Sequence, residues 1–258
     1  MSHEVNELLH FANSFADKSK KILKKKYLKN FNIKKKIDGS FVTNVDQEIE
    51  SLFKKLLNKK FPDHGIIGEE YGSEKINSEY IWVIDPLDGT HSFISGKPLF
   101  GTLISCLKNN SPIIGVIDIP ILNHRWYGGG GLGVYFNEKK CSKIKTQKTI
   151  KESIISSTSL LMFNKKDQKK IIKIYNDTRF PVFGTDCYAY GLLLLGKIDL
   201  IIEANLKPWD YMAQIPLIKE LGGNITDWEG KDLNINSKGK IIASMSMNHH
   251  KKLIKFLK

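Results

Sequence analysis

Near the start of the chain, Leu8, Ala12, Phe15, Ser19, Ile22 and Leu23 recur at helical spacing. That period predicts an amphipathic helix over residues 5–29. A second helix is expected from about Asn44: Asn44 and Gln47 have capping-box spacing, and Ile49, Leu52, Phe53, Leu56 and Leu57 form one apolar face. Phe61-Pro62 should end it. The texture then changes to short apolar runs at 65–67, 81–84, 101–107, 113–119, 125–127 and 134–136, which read as strands. Asn109-Asn110, Pro120 and the run Gly128 to Gly131 separate them as turns. The glycine run lacks the strand–loop–helix setting and downstream acid of a dinucleotide fingerprint, so it reads as a hairpin connection. After residue 150 strands and helices alternate. Strands are expected at 153–157, 181–183, 198–202, 224–226 and 240–243, and helices at about 165–176, 185–195, 208–221 and 247–257. Gly222-Gly223 suits a helix C-terminus. No repeat or low-complexity linker interrupts the pattern. We therefore expect an α+β half over 1–150 and an α/β half over 151–258.

Composition adds limits. The 258 residues are 41% hydrophobic and 26% charged, as in an ordinary globular protein. The longest purely aliphatic run, Leu192 to Leu195, is far too short to span a bilayer. The opening Met1-Ser-His-Glu-Val has an early acid and no apolar stretch, so no signal peptide is expected. Cys106, Cys141 and Cys187 form no C-x-x-C pair, which argues against a disulfide framework or thiolate zinc site and for a reducing cytoplasm. The net charge is +13, yet of 40 basic residues only Arg125 and Arg179 are arginine. A nucleic-acid reader usually exploits the guanidinium fork, so no nucleic-acid partner is expected. No membrane partner is expected either: the ten lysines between Lys18 and Lys36 read as a solvated face beside a buried stripe. The positive field can still attract an anionic substrate.

The informative chemistry is a set of acids at strand ends. Gly65-Ile-Ile-Gly-Glu-Glu70 closes one strand with Glu69 and Glu70. Ile81-Trp-Val-Ile-Asp-Pro-Leu-Asp-Gly-Thr90 closes another with Asp85, Asp88 and Thr90. Pro86 cannot donate to a sheet ladder, so the strand should stop there. Asp85 and Asp88 should then sit together on a rigid turn, where two carboxylates repel unless a cation lies between them. Hard oxygen ligands suit Mg²⁺. In Pro208-Trp-Asp-Tyr211, Pro208 suits a first helical turn; Asp210 is either a structural anion at that helix start or a metal ligand. Taken singly, Glu69-Glu70 read as solvated acids. The seven histidines show no metal-ligand spacing, and His249-His250 reads as a solvated helix start.

In this order, Glu69-Glu70, Trp82-Val-Ile-Asp-Pro-Leu-Asp-Gly-Thr90, Trp209-Asp210 and Glu220-Leu-Gly-Gly223 resemble the signatures of the inositol monophosphatase family, over nearly the whole chain. Lys36, Asp38, Thr43 and Asp46 resemble its N-terminal Lys-x-Asp-x-Ser-Pro-x-Thr-x-x-Asp stretch, with Phe41 where proline is usual and a slightly altered Asp-Gly-Ser spacing. The resemblance implies a layered α-β-α-β-α sandwich and a homodimer. It implies a magnesium-dependent, lithium-sensitive phosphomonoesterase using two or three Mg²⁺ ions. It places Glu69, Asp85 and the Leu87 carbonyl on a first metal, and Asp85, Asp88 and Asp210 on a second. Gly89 and Thr90 would offer backbone N–H groups to the phosphate. Glu69 with Thr90 would orient and deprotonate the attacking water, and with Asp88 they make up the catalytic group. The metals would neutralise the phosphate dianion, acidify a bound water and stabilise the leaving alkoxide.

Two segments bear on the ester. Asp88-Gly-Thr-His-Ser-Phe-Ile-Ser-Gly-Lys-Pro-Leu-Phe-Gly-Thr-Leu-Ile104 and Gly184-Thr-Asp-Cys-Tyr-Ala-Tyr190 are similar to the histidinol-phosphatase branch of the family. Asp186 stands where inositol phosphatases usually carry a small apolar residue. Histidinol phosphate carries an ammonium and an imidazole, so an acid there fits its charge, and Glu203 matches the family's polyol-binding acid. The substrate would then meet Asp88, Gly89, Thr90, Thr185, Asp186, Glu203 and Asp210. Two structural alternatives stand beside this: Asp186 as a helix N-cap or first-turn acid, and Glu203 as a salt-bridged strand end. The expected activity is hydrolysis of L-histidinol phosphate in histidine biosynthesis. The alternatives are an inositol-1-phosphatase, a broad sugar-phosphate phosphatase, or a catalytically silent binding protein of the same fold.

Overall fold

The computed structural model describes residues 2–36, 39 and 41–257; Asp38 lies outside them. In chain order its elements begin with α1 (Ser2–Lys26), the hairpin β1 (Ile33–Lys35) and β2 (Phe41–Thr43), and α2 (Asn44–Lys60). A first sheet follows: β3 (Gly65–Gly68), β4 (Gly72–Glu74), β5 (Tyr80–Asp88), β6 (Gly101–Lys108), β7 (Ser111–Ile119), β8 (His124–Gly128), β9 (Val134–Phe136) and β10 (Lys139–Lys140), with α3 (Thr90–Ile94) after β5. The remainder is β11 (Ile154–Ser157), α4 (Lys165–Asn176), β12 (Phe180–Phe183), α5 (Tyr188–Leu194), β13 (Leu200–Glu203), α6 (Pro208–Tyr211), α7 (Gln214–Glu220), β14 (Asn224–Asp227), β15 (Ile241–Ser244) and α8 (Met247–Leu257).

These elements stack as α-β-α-β-α. The first sheet runs β10-β9-β8-β7-β6-β5-β3-β4, antiparallel except between β3 and β5. The second runs β12-β11-β13-β15-β14 and is mixed: β11 is parallel to both neighbours, and β15 is antiparallel to both of its own. Strand periodicity builds the layers. On β6, Leu103 and Leu107 face the central helices α5 and α7, while Ile104 and Cys106 face α1 and α2. On β13, Ile201 faces that central layer, while Leu200 and Ile202 pack with Ile171 of α4 and Leu253 of α8. A sheet covered on both faces must be apolar on both, which is why the runs at 101–107 and 113–119 do not alternate.

Five short elements, β1, β2, β4, α3 and β10, are not predicted by the sequence pattern, and four further details differ from it. Helix α2 is capped one residue early. Thr43, extended at the end of β2, accepts from the Val45 N–H, and its own N–H and hydroxyl bond Asp46. Strand β5 does not stop at Pro86. Its pairing with β6 slips by one residue between Asp85 and Asp88, so the missing N–H falls in a bulge, and the Pro86 carbonyl accepts from Thr102 Oγ1 at 3.0 Å. The helix expected over 208–221 is two pieces, because Pro216 has no N–H for the Met212 carbonyl. Finally, His249 and His250 are buried, 1% and 3% exposed. His249 Nε2 donates to the Lys148 carbonyl at 2.7 Å, and His250 Nε2 lies 2.8 Å from Thr226 Oγ1. Burial holds His250 down at about 4.

The two sheets meet the central helices closely. A Cβ on Gly115 of β7 would overlap the carbonyl of Ala213, where α6 gives way to α7. Gly115→Ala should therefore cost about 1–3 kcal/mol by overpacking and lower Tm by several degrees. A melt that coincides with the parent's would contradict this packing.

Candidate active site

Three carboxylates converge where β5 ends and α6 begins. One oxygen each from Asp85, Asp88 and Asp210 lies within 4.8 Å of the others. Each side chain is also pinned by a backbone N–H. Asp85 Oδ1 accepts from Leu87 N at 2.9 Å, inside the bulge. Asp88 Oδ2 accepts from Cys187 N at 2.8 Å, at the start of α5. Asp210 Oδ2 accepts from Lys207 N at 2.7 Å, closing a capping box on α6. Asp210 is thus the structural anion of its helix and a member of the cluster at once.

Burial raises the pKa of all three. Asp85 is pushed well above the usual carboxylate range by desolvation first, then by the charges of Glu69, Asp88 and Asp210. Asp88 is pushed up to about 7 by desolvation, with Asp186 the next contributor. Asp210 is raised in the same way, with Asp88 adding to burial. Oxygens this close, carried by the end of β5 and the first turn of α6, form a donor set for a hard divalent cation. The three acids fit Mg²⁺ on that ground.

Glu69 stands beside this triad. It adds charge and a hydrogen bond to Asp85, while its Oε1 accepts from Lys36 Nζ at 2.8 Å. Lys36 also reaches Glu70 Oε1 at 2.6 Å, and burial lifts Glu70 to about 7. Asp46 is fully buried, and desolvation raises it to about 6; its Oδ1 has no hydrogen-bond partner. Thr90 Oγ1 donates to the Leu87 carbonyl at 3.1 Å. Gly89 has φ +80°, and a Cβ there would sit 3.1 Å from Asp186 Oδ2. Only glycine adopts that backbone without strain while staying clear of its neighbour.

On the other wall, Glu203 ends β13, 2% exposed. Its Oε1 accepts from Thr158 N (3.1 Å) and Thr158 Oγ1 (2.6 Å), and its Oε2 from Tyr190 OH (3.0 Å). Among the described residues no cation pairs with it, so the salt-bridged strand end is not what the structure holds. Burial raises Glu203 to about 7. Asp186 is not a helix cap either. It has φ +45°, α5 starts at Tyr188 with no side-chain cap, and the carboxylate accepts instead from Ser92 Oγ at 2.7 Å. Thr185 is turned away: its hydroxyl is buried 3.0 Å from Ser156 Oγ on β11.

Sequence reasoning missed Glu50. It is fully buried on α2 and accepts from the N–H groups of Glu70 (2.7 Å) and Tyr71 (2.9 Å), fixing the turn that carries Glu69. A Cβ on Gly68 would overlap its carboxylate. The available signal was an acid between Ile49 and Phe53 on an otherwise apolar face.

The model of the inositol monophosphatase family matches residues 4–258. The chain belongs to that family. The activity that goes with membership is phosphate-ester hydrolysis. Among curated relatives, the chain is 40% identical over 230 residues to the chloroplastic bifunctional phosphatase IMPL2 of Arabidopsis thaliana, covering 88% of this chain and 66% of that protein. It is 27% identical over 215 residues to a histidinol-phosphatase of Chlorobaculum parvum, covering 83% of each. An inositol monophosphatase from Zymomonas mobilis superposes with a TM-score of 0.88 at 32% identity over 98% of both chains. The layered sandwich is thus the family fold.

A pH dependence follows for this member of the family. An acid raised in the folded state keeps its proton from about pH 4, where the unfolded chain loses it, up to about pH 7. The cluster therefore subtracts stability progressively as pH rises through that window, Asp88 and Glu203 titrating at about 7. Mg²⁺ held by Asp85, Asp88 and Asp210 would compete with the protons on those acids. The Tm gain on adding Mg²⁺ should be larger at about pH 8 than at about pH 5.5. Differential scanning fluorimetry at both pH values checks it, and equal gains would count against a carboxylate metal site.

Proposed function

We propose that this phosphatase hydrolyses L-histidinol phosphate with Mg²⁺ held by Asp85, Asp88, Asp210, Glu69 and the Leu87 carbonyl. The observation that carries the substrate is Asp186, a second carboxylate close enough to act on both Asp88 and Glu203, standing where inositol phosphatases usually carry a small apolar residue. Histidinol phosphate brings an ammonium and an imidazole to that acidic wall. In this reading Gly89 and Thr90 receive the phosphate with their N–H groups. Bound Mg²⁺ supplies positive charge against the phosphate dianion and makes a water more acidic. Glu69 and the Thr90 hydroxyl orient that water and take its proton. Lys36, paired to Glu69 and Glu70, keeps Glu69 aimed at the site. Residues 1–150 supply most of the metal ligands, and 151–258 supply Asp210 and the substrate wall. Thr185 supports that wall from beneath, through Ser156.

A second reading, an inositol-1-phosphatase or broader sugar-phosphate phosphatase, draws on the likeness to the Zymomonas mobilis enzyme. A silent binding protein of this fold is disfavoured, because competent oxygen ligands occupy every position in the cluster. A phosphate-release panel of histidinol phosphate, inositol 1-phosphate, fructose 1,6-bisphosphate and a nucleoside monophosphate tests the substrate. Histidinol phosphate should have the highest kcat/KM, and a preference for inositol 1-phosphate would overturn the assignment.

Two variants probe the roles. Asp88→Asn should abolish turnover while far-UV circular dichroism stays native, since it removes one charge from the metal set. An undiminished kcat at saturating Mg²⁺ would sink the role of Asp88. Asp186→Ala should cost histidinol phosphate roughly 1.5–3 kcal/mol, about 10- to 150-fold in kcat/KM, and inositol 1-phosphate much less. Equal losses on both esters would remove Asp186 from substrate recognition.

A further inference from the structure

Asp186 has a backbone that a side-chain-bearing residue rarely adopts and a carboxylate that caps nothing. Its φ of +45° turns it off the start of α5, and the first amide there is taken by Asp88, which bonds Cys187 N. Ser92 from α3 holds it in place. The Ser92 hydroxyl, on a residue 5% exposed, donates to Asp186 Oδ2 at 2.7 Å. Ser92 is itself fixed: its carbonyl accepts from Lys97 N at 2.8 Å and Ser95 Oγ at 3.2 Å. Among the described residues no group bonds Asp186 Oδ1. The left-handed turn and the buried donor point the same way. One carboxylate oxygen is spent on the protein, and the other is left for something else.

We propose that Ser92 is a specificity-determining positioning residue: its hydroxyl orients Asp186 so that Oδ1 reads a cationic group on the substrate. The proposal rests on the reading of Asp186 above. It adds that discrimination between cationic and neutral phosphate esters requires both halves of the chain, α3 holding an acid that the turn before α5 carries. Without the Ser92 hydroxyl the Asp186 carboxylate loses its aim, and a charge-assisted bond is sensitive to geometry.

The test is the ratio of kcat/KM for histidinol phosphate over inositol 1-phosphate, measured with Mg²⁺ in the parent, Ser92→Ala, Ser92→Thr, Asp186→Ala and the double variant. Ser92→Ala should lower the ratio about tenfold, the effect of losing one hydrogen bond to a charged group. Ser92→Thr, which keeps the hydroxyl, should restore most of it. In the Asp186→Ala background, Ser92→Ala should change the ratio less than twofold. A ratio unmoved by Ser92→Ala, or moved equally in the Asp186→Ala background, overturns the proposal. If Ser92→Ala proves unstable, Ser92→Cys, nearly isosteric with a weaker donor, takes its place and should also lower the ratio. The two readings fail separately. A parent ratio below one removes histidinol phosphate as the substrate, whereas the change in ratio on losing the hydroxyl decides Ser92 whichever ester is preferred.

Discussion

Repulsion among Asp85, Asp88 and Asp210 is the constraint around which the rest of the site is arranged. Carboxylates with oxygens within 4.8 Å of one another resist ionising together, and burial makes the resistance stronger. The protein meets this with three backbone N–H groups, one to each acid, from Leu87, Cys187 and Lys207. Each donor belongs to a place where the backbone has an amide to spare. The first is a bulge created by a proline; the other two are helix starts, where amides have no partner within the helix. The irregularities of the fold are thus concentrated where the charges are. The N–H groups hold the acids in place without cancelling their mutual repulsion, which leaves the cluster suited to a hard cation.

The same economy of donors explains why the two sheets meet here. Asp88, from the first sheet, completes the start of α5, which belongs to the layer between the sheets. Asp186, from the turn before α5, is completed by Ser92, from the helix after β5. These reciprocal bonds join the ends of β5 and the turn at 184–187 across the site. The close approach of Gly115 to the Ala213 carbonyl holds the neighbouring helix layer against β7. The carboxylate cluster and the turn that carries Asp186 are therefore not separable pieces, because each supplies a hydrogen-bond partner to an element of the other.

Much of this was legible in the chain. Helical and strand periods located the longer elements, because apolar spacing reports which face is buried; β1, β2, β4, α3 and β10, two to five residues each, are too short to show a period. The acid-bearing segments at 85–90 and 208–211 were readable as chemistry because Pro86, Gly89 and Pro208 each restrict the backbone beside an acid. What could not be read locally was any property that depends on the partner across the fold. His249 and His250 look like a polar helix start, and only packing against Thr226 and Lys148 makes them interior. Glu50 is marked only as an acid on an apolar helical face, and its partners appear when the turn at 70–71 is folded onto it.

The sequence by itself determined the longer elements and the acids at 85, 88 and 210, since these follow from side-chain period, backbone restriction and charge within short windows; the layered class came from the resemblance to the family. Tertiary structure decided which backbone N–H pins Asp88, which way Asp186 faces, and that Thr185 is turned toward Ser156. Those outcomes depend on contacts between residues about a hundred positions apart, such as Asp88 with Cys187 and Ser92 with Asp186. Side-chain direction at such contacts is set by the nearest donor in space, and no local pattern along the chain encodes where that donor will be.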